Sequence, residues 1–188
     1  MLPFWSADTV AQACKITNTH GPNVERQWPI LFKIAGLYGL QDRDVLAGMC
    51  GVIGHESAGH WWSIHEFGTD FSRYGYSPTG QDYGGRGLIQ TTWRTNYQKV
   101  QVYLLSNFKI QVDLVNYPDL LLGNPELAAH AACIYWVIHA GGILIDKCKE
   151  HNWPDVIYYV WGAKIPGNVY YDQYLSKLTY AANYLLAR

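Results

Sequence analysis

The sequence has 188 residues, which is enough for one domain with a proper hydrophobic core. Hydrophobic residues make up 49% of it and charged residues only 15%, a composition that excludes an intrinsically disordered chain. The formal net charge of -1 excludes the strongly basic surface by which proteins bind nucleic acid or an anionic membrane.

The chain begins without the basic region and apolar run of a secretory signal, and it has no uninterrupted apolar run of about 18 residues. We therefore expect a protein that is made in a cytoplasm and does not insert stably into a membrane. The sequence shows no internal repeat, low-complexity tract or linker. A single domain over residues 1–188 is the prediction, with a monomer expected.

The N-terminal part of the chain is predicted to be helical. Residues 6–16 form a short helix opened by Ser6 or Asp8. Residues 23–37 have a helical pattern that contains Pro29, so the helix either kinks there or a new helix begins with that proline.

Periodicity disappears between residues 63 and 87, where Gly, Pro, Ser, Thr, Tyr and Asp dominate. About 25 residues without clear structure inside one domain are more often functional than accidental. Short strands or hairpins are expected around the SPTG and DYGG segments. Residues 88–92 favour a short strand, and Thr91 or Thr92 is predicted to cap a helix that runs to about residue 105.

The rest of the chain is again helical. Asn124 and Pro125 are predicted to start an apolar, buried helix that Gly141 and Gly142 stop. One or two shorter helices follow over residues 143–163, and a last helix covers about 170–187. The predicted fold is mainly α, a helical core with a small β-hairpin lobe.

The four cysteines are widely spaced, and no two of them form a CxxC pair: Cys14, Cys50, Cys133 and Cys148. Cys50 and Cys133 lie within apolar helical runs. We interpret all four as reduced thiols in the core, with a disulfide framework as the alternative.

A single carboxylate ends the apolar helix predicted over residues 45–56. At 100° per residue, Glu56 projects from the same face as Val45, Val52 and Ile53, where a leucine would pack. Desolvation and the negative end of the helix dipole would both raise the pKa of Glu56. Glu56 is therefore a candidate general acid, and a solvated glutamate in a frayed last turn is the alternative.

Hydrolysis of a glycosidic bond needs a second carboxylate in the same cleft. The irregular segment over residues 63–87 contains three candidates, Glu66, Asp70 and Asp82. Glu66 is preferred because it lies ten residues after Glu56 in a polar loop, whereas turn formation already explains Asp82.

The far end of the loop adds polar groups to the candidate site. Its glycine-rich GGRG segment allows close approach of the backbone, and Gln90, Thr92 and Asn96 follow it. Thr92 and Asn96 are four residues apart and so can face one cleft. The alternative is that Thr92 only caps a helix and that Asn96 is only a surface residue.

Three ordered blocks, HESAGHW, YGGRGLIQTTWRTNY and YPDLLLGNPELAAHAACIYW, resemble the glycoside hydrolase family 19 group of chitinases and phage endolysins. The resemblance covers about residues 22–165. The segments NVERQWPILFKIAGLYGL and SIHEFG look like the catalytic domain of bacteriophage endolysins in particular. The resemblance implies a lysozyme-like fold whose cleft lies beside a small β-lobe.

The resemblance implies an inverting mechanism without a cofactor or metal. Glu56 would match the general acid, Glu66 the general base that activates water, and Thr92 the residue that positions this water. Gln90 and Asn96 would match substrate contacts. Four neighbours in the same blocks complete the expected substrate-binding set: Trp61, Arg86, Tyr97 and His55.

One departure from the family pattern lies near the end of the chain. Relatives carry an INGG segment where this sequence reads VWGAKIPGN, with Trp161 in place of the asparagine. This puts a substrate contact on that side in doubt.

The first functional hypothesis is a muramidase or endolysin that cleaves β-1,4 bonds of bacterial peptidoglycan. It would lack a separate cell-wall-binding domain, wait in the host cytoplasm and act after release, or travel with a virion. A chitinase is the alternative enzyme, and a non-catalytic sugar-binding virion protein is the alternative of another class. A zinc peptidase is disfavoured because His55 and His60 are five residues apart, one more than an HExxH motif requires, although His65 could add a ligand.

Overall fold

The computed structural model describes residues 3–68, 70–162 and 164–188, apart from the side chain of Ala140. Helices dominate the described chain, as predicted, and they are α1 (Ala7–Ala13), α2 (Gly21–Leu37), α3 (Arg43–Glu56), α4 (Arg94–Phe108), α5 (Leu120–Gly123), α6 (Pro125–Ile138), α7 (Ile143–Lys149), α8 (Trp153–Trp161) and α9 (Val169–Leu186). Short 3₁₀ turns cover Ser72–Tyr74 and His139–Gly142.

Helix α3 lies at the centre of the main hydrophobic core and packs most extensively against α9. The Asp42 carboxylate caps α3 by accepting hydrogen bonds from the N–H groups of Asp44 and Val45. Gly51 lets the two helices approach closely, since a Cβ at this position would lie 2.5 Å from Cδ1 of Leu178. The buried residues of α9 include Tyr174 and Leu178.

Helix α6 separates this core from a second, smaller cluster. Asn124 caps α6 by accepting from the N–H groups of Glu126 and Leu127, and Pro125 occupies the first turn, both as predicted. One side of α6 packs on α2, and the other side packs on α4, where Tyr97 and Leu104 are buried.

Several predicted elements differ from the observed ones. Helix α2 runs through Pro29 without a second helix beginning there. Within the described part of residues 63–92, no strand forms; two isolated bridges, Tyr76 to Asp82 and Arg86 to Thr91, stand in place of the β-hairpin lobe. Neither threonine caps α4, because the cap position is occupied by Trp93 at a φ of 70°.

All four cysteines are free thiols, and Cys50, Cys133 and Cys148 are buried, in agreement with the prediction. No single helix in the described ranges is long and apolar enough to cross a membrane. Helices α6 and α7 reach that length and composition only as a pair bent by 87°, and most of α6 is buried in the core.

Candidate active site

A cleft of about 1710 Å³ runs along the side of the helical core. Its lining comes from the end of α3, from the loop over residues 64–74, from residues 89–100, from α6 and from α8 with the start of α9. Both glutamates selected from the sequence, Glu56 and Glu66, line this cleft.

Glu56 is the last residue of α3, and its half-buried side chain faces the cleft. Burial raises the pKa of its carboxyl group to about 7; the Tyr174 hydroxyl lowers this pKa and the charge of Glu66 raises it. A carboxyl group with a pKa near 7 is partly protonated at neutral pH and can donate a proton. Glu66 lines the same cleft, and its negative charge adds to the rise in the pKa of Glu56.

Helix α9 supports the end of α3 from behind. The Tyr174 ring stacks on the His55 ring, with centroids 3.7 Å apart and an interplanar angle of 14°. The Tyr174 hydroxyl is buried and makes no hydrogen bond of normal geometry to a described residue, yet it influences the pKa of Glu56. Burial, followed by the charge of Lys177, lowers the pKa of His55 to about 4, so this ring is neutral at neutral pH.

Three donors from the loop orient the Glu66 carboxylate. One oxygen accepts from Arg73 Nη2 at 3.3 Å and from the Tyr74 hydroxyl at 3.0 Å; the other accepts from the Gly85 N–H at 3.1 Å. The Glu66 N–H also donates to the Gly85 carbonyl at 2.7 Å. Glu66 is thus fixed at both its backbone and its side chain, while 28% of the side chain stays exposed.

The Gly84-Gly85 backbone that holds Glu66 is itself organised by Arg86. This buried guanidinium group donates to Asp119 at 2.6 Å, to the Gly84 carbonyl at 3.0 Å and to Asp82 at 3.3 Å. A Cβ at Gly85 would lie 2.6 Å from Oε1 of Gln90, so the segment needs glycine for close packing. The GGRG segment is therefore a scaffold for Glu66.

The turn after this scaffold presents Gln90, Thr92 and Asn96 to the cleft. Gln90 Nε2 donates to the Ile64 and Gly87 carbonyls, both at 3.2 Å, and ties the two sides of the loop together. Thr92 Oγ1 donates to the Gln90 carbonyl at 2.7 Å, and Asn96 Nδ2 donates to the Thr92 carbonyl at 2.8 Å. The Thr92 hydroxyl donates its hydrogen to the Gln90 carbonyl. Its oxygen can therefore accept a hydrogen bond from a molecule in the cleft.

The two other acidic candidates lie outside the lining of the cleft. Asp82 accepts from the Gly84 N–H at 2.7 Å and pairs with Arg86 and His65, which agrees with the turn role predicted for it. Asp70 is exposed and accepts from the Ser72 N–H at 2.9 Å.

Three residues predicted to bind substrate are buried and do not line the cleft. Trp61 is fully buried, since its φ of 49° turns the ring into the core beside Trp28. Tyr97 is fully buried, and its hydroxyl donates to the Gly84 carbonyl at 2.7 Å. Arg86 is 2% exposed and has the structural role described above. Of the four neighbours predicted with the motif blocks, His55 alone lines the cleft.

The motif blocks did not indicate the side of the cleft formed by the C-terminal helices. Tyr158, Trp161 and Tyr170 line the cleft there, and Tyr174 lies beneath Glu56. They follow Glu56 by about 100 residues or more, so no local spacing links them to it. The departure at Trp161 therefore places an exposed aromatic ring in the cleft, where a loss of contact was expected.

The three histidines considered as zinc ligands have separate surroundings. His55 stacks on Tyr174, the His60 ring lies 4.2 Å from the His20 ring, and His65 pairs with Asp82 at 3.1 Å. Among the described residues, no group of three His, Cys, Asp or Glu side chains is placed to share a metal ion. The near-HExxH spacing thus has no corresponding ligand set.

Comparisons with known proteins point to chitinases. The chain is 34% identical to Chitinase 11 of Oryza sativa subsp. japonica over 98 residues, which are 50% of this chain and 36% of that protein. It is 38% identical to Endochitinase 1 of Theobroma cacao over 58 residues, 31% of this chain and 16% of that protein. The aligned parts thus span well under half of these relatives. No family model matches the chain.

Solved structures show the same fold. Chitinase C from Streptomyces griseus superposes with a TM-score of 0.69 at 19% identity, covering 97% of this chain and 77% of that chain. A mutant of chitinase C superposes with a TM-score of 0.70 at 19% identity, covering 97% of this chain and 93% of that chain. The chain thus has the mainly helical fold of chitinase C, and part of it is similar in sequence to part of the two plant chitinases.

Proposed function

We propose that the protein is a glycoside hydrolase that cleaves β-1,4 bonds between N-acetylated amino sugars by an inverting mechanism. The observation that carries this proposal is the pair Glu56 and Glu66 in one cleft, the first with a pKa raised to about 7 and the second oriented by three donors. Two carboxyl groups in different surroundings are what acid–base glycoside hydrolysis requires.

Glu56 donates its proton to the glycosidic oxygen as the bond from that oxygen to the anomeric carbon breaks. Glu66 removes a proton from a water molecule, and the oxygen of this water forms the new bond to the anomeric carbon from the opposite face. The Thr92 hydroxyl oxygen accepts the second hydrogen of the water and so orients its lone pair toward the sugar. The products are a free leaving-group hydroxyl and a sugar of inverted configuration.

Two observations bear on the substrate, and each favours a different polymer of amino sugars. The names of the similar proteins favour chitin, a polymer of β-1,4-linked N-acetylglucosamine. The segments NVERQWPILFKIAGLYGL and SIHEFG resemble those of bacteriophage endolysins and favour peptidoglycan, which has the same linkage between amino sugars. The two polymers present the same bond to the same pair of carboxyl groups.

Three variants test the catalytic assignment. Glu56→Gln and Glu66→Gln are each expected to lower kcat by about 100-fold or more, because each removes one acid–base group. Glu25→Gln, an exposed glutamate on α2, is the matched control and should retain full activity. Substantial turnover by the folded Glu56→Gln protein would remove Glu56 as the acid.

The substrate and the stereochemistry need separate assays. Release of oligosaccharides from chitin is compared with the loss of turbidity of purified cell walls, and the polymer with the higher kcat/KM is the substrate. Proton NMR of the first product formed should show the α-anomer. A β-anomer, or an anhydro sugar formed without water, would contradict the inverting mechanism.

A further inference from the structure

Three exposed aromatic side chains form one part of the cleft lining, which we name the aromatic wall: Tyr158, Trp161 and Tyr170. Their exposed fractions are 44%, 44% and 74%. Large aromatic side chains are usually buried for much of their area, so a group of three exposed rings along one cleft needs an explanation other than packing.

Two helices hold the aromatic wall in place. Tyr158 and Trp161 are three residues apart on α8 and therefore lie on one helix face. Tyr170 lies in the first turn of α9. Its backbone N–H donates to the side-chain oxygen of Asn168, the cap residue of α9, at 3.0 Å. Trp161 also lies against the buried Tyr171 ring, with centroids 6.5 Å apart and an interplanar angle of 19°.

The core does not depend on the exposed faces of these rings. Other residues of α8, namely Trp153, Val156 and Ile157, supply its contacts with the main core. The exposed rings combine flat apolar faces with polar edges, a surface that suits a pyranose ring, which has an apolar C–H face and a rim of hydroxyl groups. A purely apolar ligand would gain nothing from the hydroxyl edges of Tyr158 and Tyr170.

We propose that the aromatic wall is a saccharide-binding subsite that stacks on one N-acetylated sugar unit of the polymer and sets the length of chain that the protein prefers. The wall is continuous with the cleft that holds Glu56 and Glu66, so a single polymer can occupy both. The choice of an amino sugar rests on the proposed function, whereas the stacking itself rests on the exposed rings.

Binding is measured by calorimetry with the hexamer of β-1,4-linked N-acetylglucosamine in the Glu56→Gln background, so that the probe is not consumed. Tyr170→Ala and Trp161→Leu should each weaken binding about three- to tenfold, and Trp161→Phe, which keeps a flat ring, should weaken it less. The matched control is Tyr117→Ala, a ring that is 49% exposed outside the cleft, and its affinity should not change.

Thermal unfolding accompanies each titration because Trp161 packs on Tyr171. If Trp161→Leu does not fold, the affinity of Tyr170→Ala is the test. The Tyr170 ring is the most exposed of the three, so its removal should disturb the fold least. Unchanged affinity in folded Tyr170→Ala, or no hexamer binding by the Glu56→Gln protein, overturns the subsite.

The two proposals can fail separately. Hexamer binding that depends on Tyr170, in a wild-type protein that hydrolyses no amino-sugar polymer, would remove the proposed activity and keep the subsite. Efficient hydrolysis by the wild type, with hexamer affinity unchanged by Tyr170→Ala in the Glu56→Gln background, would remove the subsite and keep the activity.

Discussion

Tyr174 and Glu56 lie on different helices, but the hydroxyl of the first affects the acidity of the second. Burial raises the pKa of Glu56 to about 7, and the Tyr174 hydroxyl opposes this rise. The same hydroxyl is buried and makes no hydrogen bond of normal geometry to any described residue. It is therefore available to stabilise the carboxylate that remains after Glu56 has donated its proton.

Tyr174→Phe is expected to raise the pKa of Glu56 further, because it removes the group that lowers this pKa. Activity then falls at a higher pH than in the wild type, so the alkaline limb of the kcat/KM profile moves upward. Tyr180→Phe, an exposed tyrosine on the same helix, is the control that should leave the limb in place. An unshifted limb in Tyr174→Phe would show that the hydroxyl does not act on Glu56.

The motif blocks contained several residues of the cleft, but they did not give the direction of every side chain. Trp61 follows the α3 end directly in sequence, yet its positive φ turns it inward. Gln90 also has a positive φ, and its amide is used to tie the loop to the Ile64 carbonyl. In a loop without regular backbone angles, spacing along the sequence does not fix which way a side chain points.

At the scale of elements, the loop from Glu66 to Thr92 depends on buried charge in place of strands. Arg86 joins Asp119, Asp82 and the Gly84 carbonyl, and the adjacent Gly85 N–H reaches Glu66. The period-two pattern that would have formed a hairpin is absent. In the described part of this loop, Arg86 donates to the Asp82 and Gly84 carbonyls, and two isolated bridges stand where a β-lobe was expected.

Arg86→Lys keeps the charge but loses the planar fork that reaches several acceptors at once. We expect a loss of about 1–3 kcal/mol in the free energy of unfolding, since buried acceptors lose partners. We also expect a lower kcat, since Gly85 no longer holds Glu66 in place. Arg94→Lys, at an exposed position on α4, is the control for both chemical denaturation and kinetics. Equal stability of Arg86→Lys and wild type would contradict the role of the fork.

Contact between α3 and α9 depends on a small residue. Gly51→Ala would place its Cβ 2.5 Å from Leu178 Cδ1 and 3.3 Å from the Leu178 backbone, so the Leu178 side chain must move and its backbone must shift slightly. We expect a loss of about 1–3 kcal/mol in the free energy of unfolding. Gly123→Ala, where a Cβ meets nothing within 4 Å, should be neutral or slightly stabilising in the same denaturant titration. A neutral Gly51→Ala would mean that α9 is not tightly packed on α3.

At the scale of the whole molecule, the helical fold was predictable because each long helix carries its own signals. The cap residues Ser6 and Asn124 and the apolar face of α3 are local features of the sequence. The aromatic wall was not predictable, since it forms only when helices that are distant in sequence meet at one cleft. Glu56 and Glu66 could therefore be selected from local sequence, whereas the aromatic wall needs the tertiary arrangement.

The dependence of stability on pH combines two groups whose effects oppose each other. Glu56 has a folded-state pKa of about 7 against 4.5 unfolded, so the folded state holds more protons and stability falls as the pH rises from 4.5 to 7. His55 has a folded-state pKa of about 4 against 6.5 unfolded, so its contribution rises with pH from 4 to 6.5. Between pH 4.5 and 6.5 the contribution of Glu56 to stability falls while that of His55 rises. The two contributions therefore nearly cancel in this range.

Glu56→Gln removes only the falling contribution, since glutamine stays neutral at every pH. The variant should therefore gain stability relative to wild type as the pH rises from 4.5 to 7, by about 2–3 kcal/mol in total. Well above pH 7 the difference should stay constant, because Glu56 is then ionised in both states of the wild type. Urea unfolding of both proteins at pH 4.5, 6 and 8 measures this difference. A difference that does not change with pH would show that Glu56 is not desolvated in the folded protein, and it would remove the physical basis for its role as the acid.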